Sequence, residues 1–215
     1  MEKQKRILTR RILEGEGEQL DFKYHVSDAK KIAKSLVAFS NVNGGSLLLG
    51  VKDNGKIIGV ESEEEAYMIG TAADRYCSPK IEDYEIKEWW IDDKVVLEVI
   101  IPPGKQKPYY HKNEQDQWRV YIRIHDENKL ANRIIVQVMK RQNRPQGTEI
   151  YFKDKEKAIL HYLENNEKAD LEGLQSLIGL NKRKTENILI NLISIGLVDV
   201  VLDKHDFVYQ LQHTY

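Results

Sequence analysis

The cationic side chains of this sequence are grouped in a way that suits contact with phosphate groups. Residues 1–12 carry five basic side chains against one acid, and residues 128–148 carry five basic side chains and no acid. Lysine and arginine neutralise phosphates along a nucleic-acid backbone, and aromatic rings stack on unpaired bases. We therefore expect a phosphate-binding groove whose cations are Lys23, Lys30, Lys31, Lys34, Arg119, Arg123, Lys129 and Arg133, with Tyr109, Tyr110 and His111 available for stacking.

The net charge of the whole chain neither supports nor excludes this prediction. The formal net charge is -1 at pH 7, so any affinity for a polyanion must come from how the charges are distributed. Lys30, Lys31 and Lys34 lie off the apolar stripe of a predicted helix, where a solvated face is an equal alternative to phosphate contact. The three tryptophans are expected to pack in the core.

The composition is that of an ordinary globular protein. The chain has 215 residues, of which 41% are hydrophobic and 31% charged, enough for one or two domains. Its single cysteine, Cys77, excludes an intramolecular disulfide and a cysteine-based zinc site, and it suits a reducing compartment. The N-terminus lacks the apolar core of a signal peptide, and no apolar run has the length of a membrane span. The prediction is a cytoplasmic protein without a membrane partner.

The mixture of helices and adjacent strands predicts an α+β first domain with a largely antiparallel sheet. Its best-defined helix spans 29–40, where small and apolar residues recur at helical spacing. Asn54 and Gly55 favour a type I′ turn, which predicts a central hairpin between strands at 46–51 and 56–60. The other predicted elements are strands at 19–24, 84–91, 95–101, 108–111 and 118–124 and helices at 63–76 and 127–141.

The C-terminal part of the sequence predicts a second, smaller domain. Pro145 and Gly147 indicate a linker, which divides the chain into domains at 1–145 and 149–215. The smaller domain has three helical segments followed by two strands, an order that is typical of a winged helix. These segments are helices at 153–165, 171–177 and 182–195 and strands at 197–202 and 207–211.

The third helix of the smaller domain begins with three cations, Lys182, Arg183 and Lys184, after Asn181, a residue suited to cap it. In a DNA-reading winged helix this end would enter the major groove. Residues 149–215 nevertheless carry eight Lys and Arg against eleven Asp and Glu, a net charge of -3. Contact with protein, including formation of a homo-oligomer, is therefore an equal alternative to DNA binding.

Three segments of the first domain resemble the Schlafen-type AlbA-like domain. They are EGEQLDFK at 16–23, IAKSLVAFSN at 32–41 and GGSLLLGVKDNG at 44–55, in the order of the family's pattern. Pro102 to Gly104 and Tyr121 to Arg123 also resemble family segments, so the resemblance covers about 12–135. It implies an AlbA-like mixed-sheet domain of the kind described as divergent AAA, ATP-binding or transcription-regulator modules.

An ATP-binding role has no support in the motifs of this sequence. No G-x-x-x-x-G-K-[ST] loop occurs in the chain. Asn43 to Ser46 lead into a predicted strand, whereas a phosphate cradle needs a helix N-terminus. ATP is therefore not predicted as a cofactor.

The resemblance also implies a candidate nuclease site. In Schlafen nucleases three carboxylates form a metal-dependent RNA-cutting site, and by position they fall on Glu16, Asp21 and Asp53, with Asp at 21 where the family usually has Glu. Such oxygen ligands would hold Mg²⁺ or Mn²⁺, which can activate water. Each acid also has an alternative role that needs no metal. Asp53 can stabilise its turn, Glu16 can be solvated, and Asp21 can form a surface pair with Lys23 on a strand.

Three functions remain in competition. The first is a nucleic-acid-binding protein that regulates transcription by binding DNA. The second is a metal-dependent endoribonuclease that acts on tRNA or other structured RNA. The third is a protein-interaction adaptor. The first two predict a nucleic-acid partner, either DNA or tRNA-like RNA.

Overall fold

The computed structural model describes residues 2–143 and 152–212, so most of the predicted linker lies outside the described residues. By its contacts the chain forms two compact units, Met1–Leu130 and Ala131–Tyr215. Each unit buries its own cluster of apolar side chains.

The first unit mixes helices and strands along the chain. Its elements are α1 (Glu2–Glu14), β1 (Leu20–Lys23), α2 (Ala29–Asn41), β2 (Gly45–Leu49), α3 (Ser62–Arg75), β3 (Cys77–Ser78), β4 (Glu85–Ile91), β5 (Lys94–Ile101), β6 (Tyr110–Lys112), β7 (Trp118–Arg119), β8 (Tyr121–Ile124) and β9 (Glu127–Leu130). A four-stranded sheet has the order β1-β2-β5-β4, and within it only β1 and β2 pair in parallel. Smaller sheets join β3 to β6 and β7, and β8 to β9. The predicted α+β class with a largely antiparallel sheet is confirmed.

Both faces of the four-stranded sheet are covered by helices. Leu47 and Leu49 of β2 pack in the cluster formed with α2 and α3, and Leu48 packs in the cluster formed with α1. Burial on both faces explains why β2 is a continuous apolar run and does not alternate. An ion pair from Arg11 of α1 to the buried Glu98 of β5 also joins this helix to the sheet.

The predicted central hairpin is wrong in its second strand. A turn forms here, in which the Gly55 amide donates to the Lys52 carbonyl at 2.7 Å, but it is not the predicted type I′ turn: Gly55 has a φ of 79°, whereas Asn54 is not among the residues of positive φ. Residues 56–60 contribute a single bridge, between Val51 and Ile57, and form no strand. Strand β2 is already paired with β1 on one edge and β5 on the other. Because neither edge of β2 is free, a hairpin strand cannot add to it.

Three further elements differ from the predictions. The basic N-terminus forms α1, which the sequence pattern does not predict, because Leu8 and Ile12 are the only buried residues among the described side chains of this helix. Residues 127–130 form β9, so the predicted helix at 127–141 begins late, after Asn132, whose side chain accepts a hydrogen bond from the Ile135 amide. The predicted strand at 118–124 is divided between β7 and β8, which pair with different strands.

The Asn41 and Gly-Gly parts of the family pattern have structural roles. The buried Asn41 donates to the carbonyls of Tyr109 and Tyr121 and accepts from the Tyr109 amide, so one side chain joins α2 to two strand-forming segments. Gly44 has a φ of 76°, and a Cβ on Gly45 would overlap the Phe39 ring. The two glycines are therefore required by the positive φ of Gly44 and by the close packing of Phe39 against Gly45.

The second unit begins with a helix that the sequence places in the first domain. Ile134 and Val138 of α4 (Arg133–Gln142) pack in the same core as Leu189 and Val198. The contacts therefore divide the chain before α4, whereas the predicted boundary lies after residue 145, where Pro145 and Gly147 are the stronger sequence signal. The remaining elements are α5 (Asp154–Asn165), α6 (Leu171–Ile178), α7 (Lys182–Ser194), β10 (Val198–Asp203) and β11 (Asp206–Leu211), close to their predicted positions.

Among the described residues, no helix combines the length and apolar character needed to cross a bilayer.

Candidate functional site

A polar pocket of about 380 Å³ in the first unit brings together the three predicted carboxylates and four of the predicted cations. We call it the carboxylate pocket. It receives residues from both ends of β1, from the turn after β2, and from β8 and β9. Its lining residues are Glu16, Asp21, Lys23, Lys34, Asp53, Arg123, Asp126, Glu127, Asn128 and Lys129.

Asp21, which lines the carboxylate pocket, belongs to a closed ring of hydrogen bonds with Ser35, Asn128 and Arg123. Its carboxylate is buried, with 2% of the residue exposed; Oδ2 accepts from Ser35 Oγ at 3.3 Å, and Oδ1 is 3.4 Å from an Arg123 guanidinium nitrogen. Asn128 closes the ring, because it donates to Ser35 Oγ at 2.9 Å and accepts from Arg123 at 3.2 Å. Lys23 adds a further donor to Oδ1 at 2.9 Å. Both carboxylate oxygens of Asp21 therefore already have protein partners.

Arg123 positions the floor of the pocket. Besides Asp21 and Asn128, its guanidinium donates to the carbonyls of Gly17 at 3.0 Å and Leu20 at 3.2 Å, and its side chain is only 2% exposed. These contacts hold the segment that leads from Glu16 into β1. A guanidinium engaged in this way is not presented to a phosphate in solution, so the structure supports a positioning role for Arg123 and not the predicted phosphate contact.

Glu16 and Asp21 form an unequal pair of acids. Burial raises the pKa of Glu16, and the hydrogen bond that it shares with Asp21 adds to this effect. Burial alone would raise the pKa of Asp21 as well, but the hydrogen bond with Glu16 and the charges of Lys23 and Arg123 outweigh it and hold that pKa below its usual value. Glu16 is therefore the member of the pair that takes up a proton more readily. Its Oε1 also accepts from the Phe22 amide at 2.8 Å.

The carboxylates do not fit a divalent metal ion as they are arranged. Mg²⁺ and Mn²⁺ need several oxygen ligands directed at one point. Across residues 2–143 and 152–212, no group of three acidic, histidine or cysteine side chains is placed to hold a metal. Asp21 is committed to Ser35, Lys23 and Arg123, while Asp53 is exposed on its turn. The three predicted acids thus share a pocket without converging on one site.

The cations of the carboxylate pocket are largely compensated by its acids. Four cationic side chains face five acidic ones. Lys23 pairs with Asp21, and Lys129 pairs with Glu127. This pocket is therefore not the positive groove that the sequence predicts.

A second pocket, of about 310 Å³, adjoins the first through Lys34, which lines both. We call it the lysine pocket; its lining residues are Lys30, Lys31, Lys34, His111, Asn113, Glu114, Gln115 and Tyr121. Its three lysines lie on α2 on the side away from the core residues Ile32, Ala33 and Leu36, as the periodicity predicts. Lys30 pairs with Asp116 at 3.3 Å, and the Lys34 ammonium lies 4.7 Å from the centre of the Tyr121 ring. Because Lys30 is paired with Asp116, the positive excess of this pocket rests on Lys31 and Lys34, which share the lining with one acid, Glu114.

The other predicted cations do not line either pocket. Arg119 is exposed on β7, where it donates to the Gln117 side chain at 2.6 Å. Arg133 belongs to the second unit and pairs with Glu186 at 2.8 Å. In the same unit Asn181 caps α7 as predicted, which leaves an exposed row of cations at the helix start: Lys182, Arg183 and Lys184.

The aromatic residues differ from their predicted roles. Tyr109 and His111 are buried, so they do not form an exposed stacking surface. Trp89 packs in the core as expected, whereas Trp90 and Trp118 are exposed. Sequence reasoning also missed Ser35 and Asn128, which complete the ring around Asp21.

The first unit is thus an α+β domain in which a charge-compensated carboxylate pocket adjoins a positively charged one. The family model described as Schlafen, AlbA_2 matches residues 16–132, more than half of the chain, and this chain belongs to that family. The match includes every residue that lines the two pockets.

Two solved structures are similar to this chain at low sequence identity. The DIP2311 protein from Corynebacterium diphtheriae is 16% identical with a TM-score of 0.46, and the match covers 76% of this chain and 40% of that one. The N-terminal domain of a RecG-related protein from Nitrosomonas europaea is 22% identical with a TM-score of 0.42, and the match covers 50% of this chain and 79% of that one. This chain therefore spans less than half of the DIP2311 protein. No curated protein matches the chain.

Proposed function

We propose that this chain binds nucleic acid through the lysine pocket of its first unit and acts as a regulator of transcription. The observation that carries the proposal is the positive excess of that pocket, where Lys31 and Lys34 of one helix face stand against the single lining acid Glu114, while Lys30 is paired with Asp116. Lysines in such a row neutralise successive phosphates and release the counterions bound to them. A nucleic-acid-associated role also accords with membership of the Schlafen, AlbA_2 family.

The order of helices and strands in the second unit supports the proposal of a regulator. Helices α5, α6 and α7 precede the β10–β11 hairpin, and a bridge between Ala169 and Tyr209 joins β11 to the segment before α6. We take this unit to be a winged helix that presents Lys182, Arg183 and Lys184 to duplex DNA. Because residues 149–215 of this unit carry eleven acids against eight bases, pairing with a second subunit is the competing use of the same surface.

Salt-dependent binding tests the proposal directly. We expect fluorescence anisotropy with labelled single-stranded and duplex oligonucleotides to show binding that weakens between about 50 and 200 mM salt. For single strands, three neutralised phosphates correspond to a slope of about -2 in a plot of log K against log salt. Glu16→Gln and Asp53→Asn should bind at least as tightly, because each removes a negative charge beside Lys34. Absence of binding to every oligonucleotide at low salt would refute the proposal.

Endoribonuclease activity is the second candidate, favoured by the presence of Glu16, Asp21 and Asp53 in one pocket beside Lys34. Because these acids do not converge on a metal position, we expect no cleavage of tRNA in Mg²⁺ or Mn²⁺, measured by gel electrophoresis of the incubated RNA. Metal-dependent cleavage that Glu16→Ala abolishes, and that Glu18→Ala leaves intact, would instead establish the nuclease. Glu18 is the matched control because it is an exposed acid of the same segment outside the pocket.

A further inference from the structure

A third pocket of the first unit has a volume of about 870 Å³, within the range of about 300–1,000 Å³ that is usual for ligand sites. It shares no residue with the carboxylate pocket or the lysine pocket. Its walls come from the segment after β1, the segment that leads into α3, the start of α3 and the turn between β4 and β5. We call it the acidic pocket, after the four acids that line it: Glu61, Glu64, Glu65 and Asp93.

Glu65 is a buried carboxylate in which one oxygen has no partner. The residue is 8% exposed, and its Oε2 accepts a hydrogen bond from the Val26 amide at 2.9 Å. Its Oε1 forms no hydrogen bond or ion pair among the described residues. Within the same residues, the one unpaired polar side-chain atom that is sealed from solvent is Nδ1 of His111, so Oε1 of Glu65 is accessible. Because Glu65 lines the acidic pocket, this oxygen is available to a ligand there.

The environment of Glu65 leaves its charge poorly compensated. Burial raises the pKa of its carboxyl, whereas the hydrogen bond from Val26 and the nearby His25 act in the opposite direction, and the charge of Glu64 raises the pKa again. A cation placed beside Oε1 would favour the charged form of this carboxyl.

The rest of the lining is also negative. Glu61, Glu64 and Asp93 are exposed, and none of them forms an ion pair within the described part of the chain. The single lining lysine, Lys94, directs its ammonium to the Ile57 carbonyl at 3.1 Å. Acids in the first turn of a helix stabilise that helix, which accounts for Glu64 but not for Asp93 on its separate turn. The acidic pocket therefore favours a cationic occupant.

The shape of the lining distinguishes among cations. Across residues 2–143 and 152–212 no three acidic, histidine or cysteine side chains are placed to hold a metal, so these acids do not form a metal site. A guanidinium pairs best with two free oxygens of one carboxylate, and Glu65 offers one. An ammonium group has three N–H donors that can reach separate acceptors. Its alkyl stem can pack on the apolar part of the lining, which consists of Val26, Ile58, Val60, Met68 and Val95.

We propose that the acidic pocket binds a primary alkylammonium group, which donates a hydrogen bond to Oε1 of Glu65 while its stem packs on the apolar wall. Two kinds of molecule carry this group, a free polyamine and the lysine side chain of a protein. The site is separate from the lysine pocket and does not depend on the proposed binding of nucleic acid. The simpler explanation of the unpaired oxygen is hydration by solvent, in which case the pocket would hold no ammonium.

The experiment titrates the full chain with n-pentylamine, which is an ammonium ion at pH 7, and with n-pentanol, which has the same stem without the charge. Amide shifts in ¹H–¹⁵N correlation spectra follow the binding, and the Val26 amide reports on Glu65 directly because it donates to that carboxylate. We expect n-pentylamine to shift the amides of the acidic pocket and to bind about tenfold or more tightly than n-pentanol, since a hydrogen bond to a charged group distinguishes them.

Two matched variants locate the contact. Glu65→Gln keeps a side-chain oxygen for the Val26 amide and removes the charge, and we expect it to weaken binding of n-pentylamine about tenfold. Glu63→Gln removes the same charge from an exposed acid of the same helical turn that does not line the pocket, and we expect less than about a twofold change. Spermidine and the methylamide of Nα-acetyl-lysine are then compared on the wild-type chain. Tighter binding of spermidine indicates a polyamine and tighter binding of the lysine derivative indicates a protein lysine, and either result supports the site.

Equal binding of n-pentylamine and n-pentanol would overturn the inference, because the pocket would then bind the stem alone. Equal losses in Glu65→Gln and Glu63→Gln would overturn it as well, since they indicate general attraction between charges. Absence of any shift at millimolar n-pentylamine would show that solvent alone occupies the pocket. Should Glu65→Gln fail to fold by circular dichroism, the comparison of the two probes on the wild-type chain still decides the matter.

Discussion

Replacing Lys30, Lys31 and Lys34 together by glutamine should lower the affinity of the chain for single-stranded nucleic acid on the order of tenfold to a hundredfold at about 50 mM salt. The three side chains are the lysines that line the lysine pocket. Glutamine keeps a long side chain of good helix propensity, so α2 should persist. The slope of log K against log salt should become less steep by about 2 units, because three fewer phosphates are neutralised. Anisotropy titrations at several salt concentrations measure both quantities.

A matched triple variant distinguishes a defined site from general charge attraction. Lys56, Lys87 and Lys94 are exposed lysines of the same unit that line neither the lysine pocket nor the carboxylate pocket. Their replacement by glutamine removes the same net charge, and we expect it to change the affinity by less than about twofold, as screening by salt limits the effect of distant charges. Equal losses in the two triple variants would show that the lysine pocket is not the binding site.

Arg123→Met should reduce the free energy of unfolding of the first unit by about 3–5 kcal/mol. The substitution removes the charge that compensates the buried Asp21, and it removes the side-chain donor to the Gly17 carbonyl and one of the two donors to the Leu20 carbonyl, which keeps its hydrogen bond from the Gly17 amide. Urea denaturation followed by tryptophan fluorescence reports on this unit specifically, because all three tryptophans lie in it: Trp89, Trp90 and Trp118.

Two companion variants make the Arg123 result interpretable. Arg119→Met removes an exposed arginine whose guanidinium donates to the Gln117 side chain, and we expect a change within about 0.5 kcal/mol. Adding Asp21→Asn to Arg123→Met should recover part of the lost stability, since the buried group is then neutral. An unfolding transition of Arg123→Met that coincides with that of the wild-type chain would mean that the ring around Asp21 does not stabilise the unit.

Several elements could be predicted because their signals are local. The small and apolar stripe of α2 and the succession of helices and hairpin in the second unit are readable from residues a few positions apart. Helix α1 is not predicted because two buried residues among its twelve described side chains make too weak a pattern. The predicted strand at 56–60 depends on a type I′ turn that does not form, and both edges of β2 are occupied by other strands.

The candidate site could be predicted only in part for the same reason. The family pattern located Glu16, Asp21 and Asp53, and these acids do line one pocket. The hydrogen bonds that surround Asp21 involve partners that no local sequence pattern predicts, such as Ser35 and Asn128.

By itself the sequence determined which residues carry charge, which helix face presents Lys30, Lys31 and Lys34, and the family to which the chain belongs. Only the tertiary structure decided that Arg123 is buried against Asp21, 102 positions away along the chain, while the α2 lysines stay at the surface. The physical reason is that the energy of a charge depends on its solvent exposure and on the opposite charges within a few ångströms, and both are set when distant segments pack together.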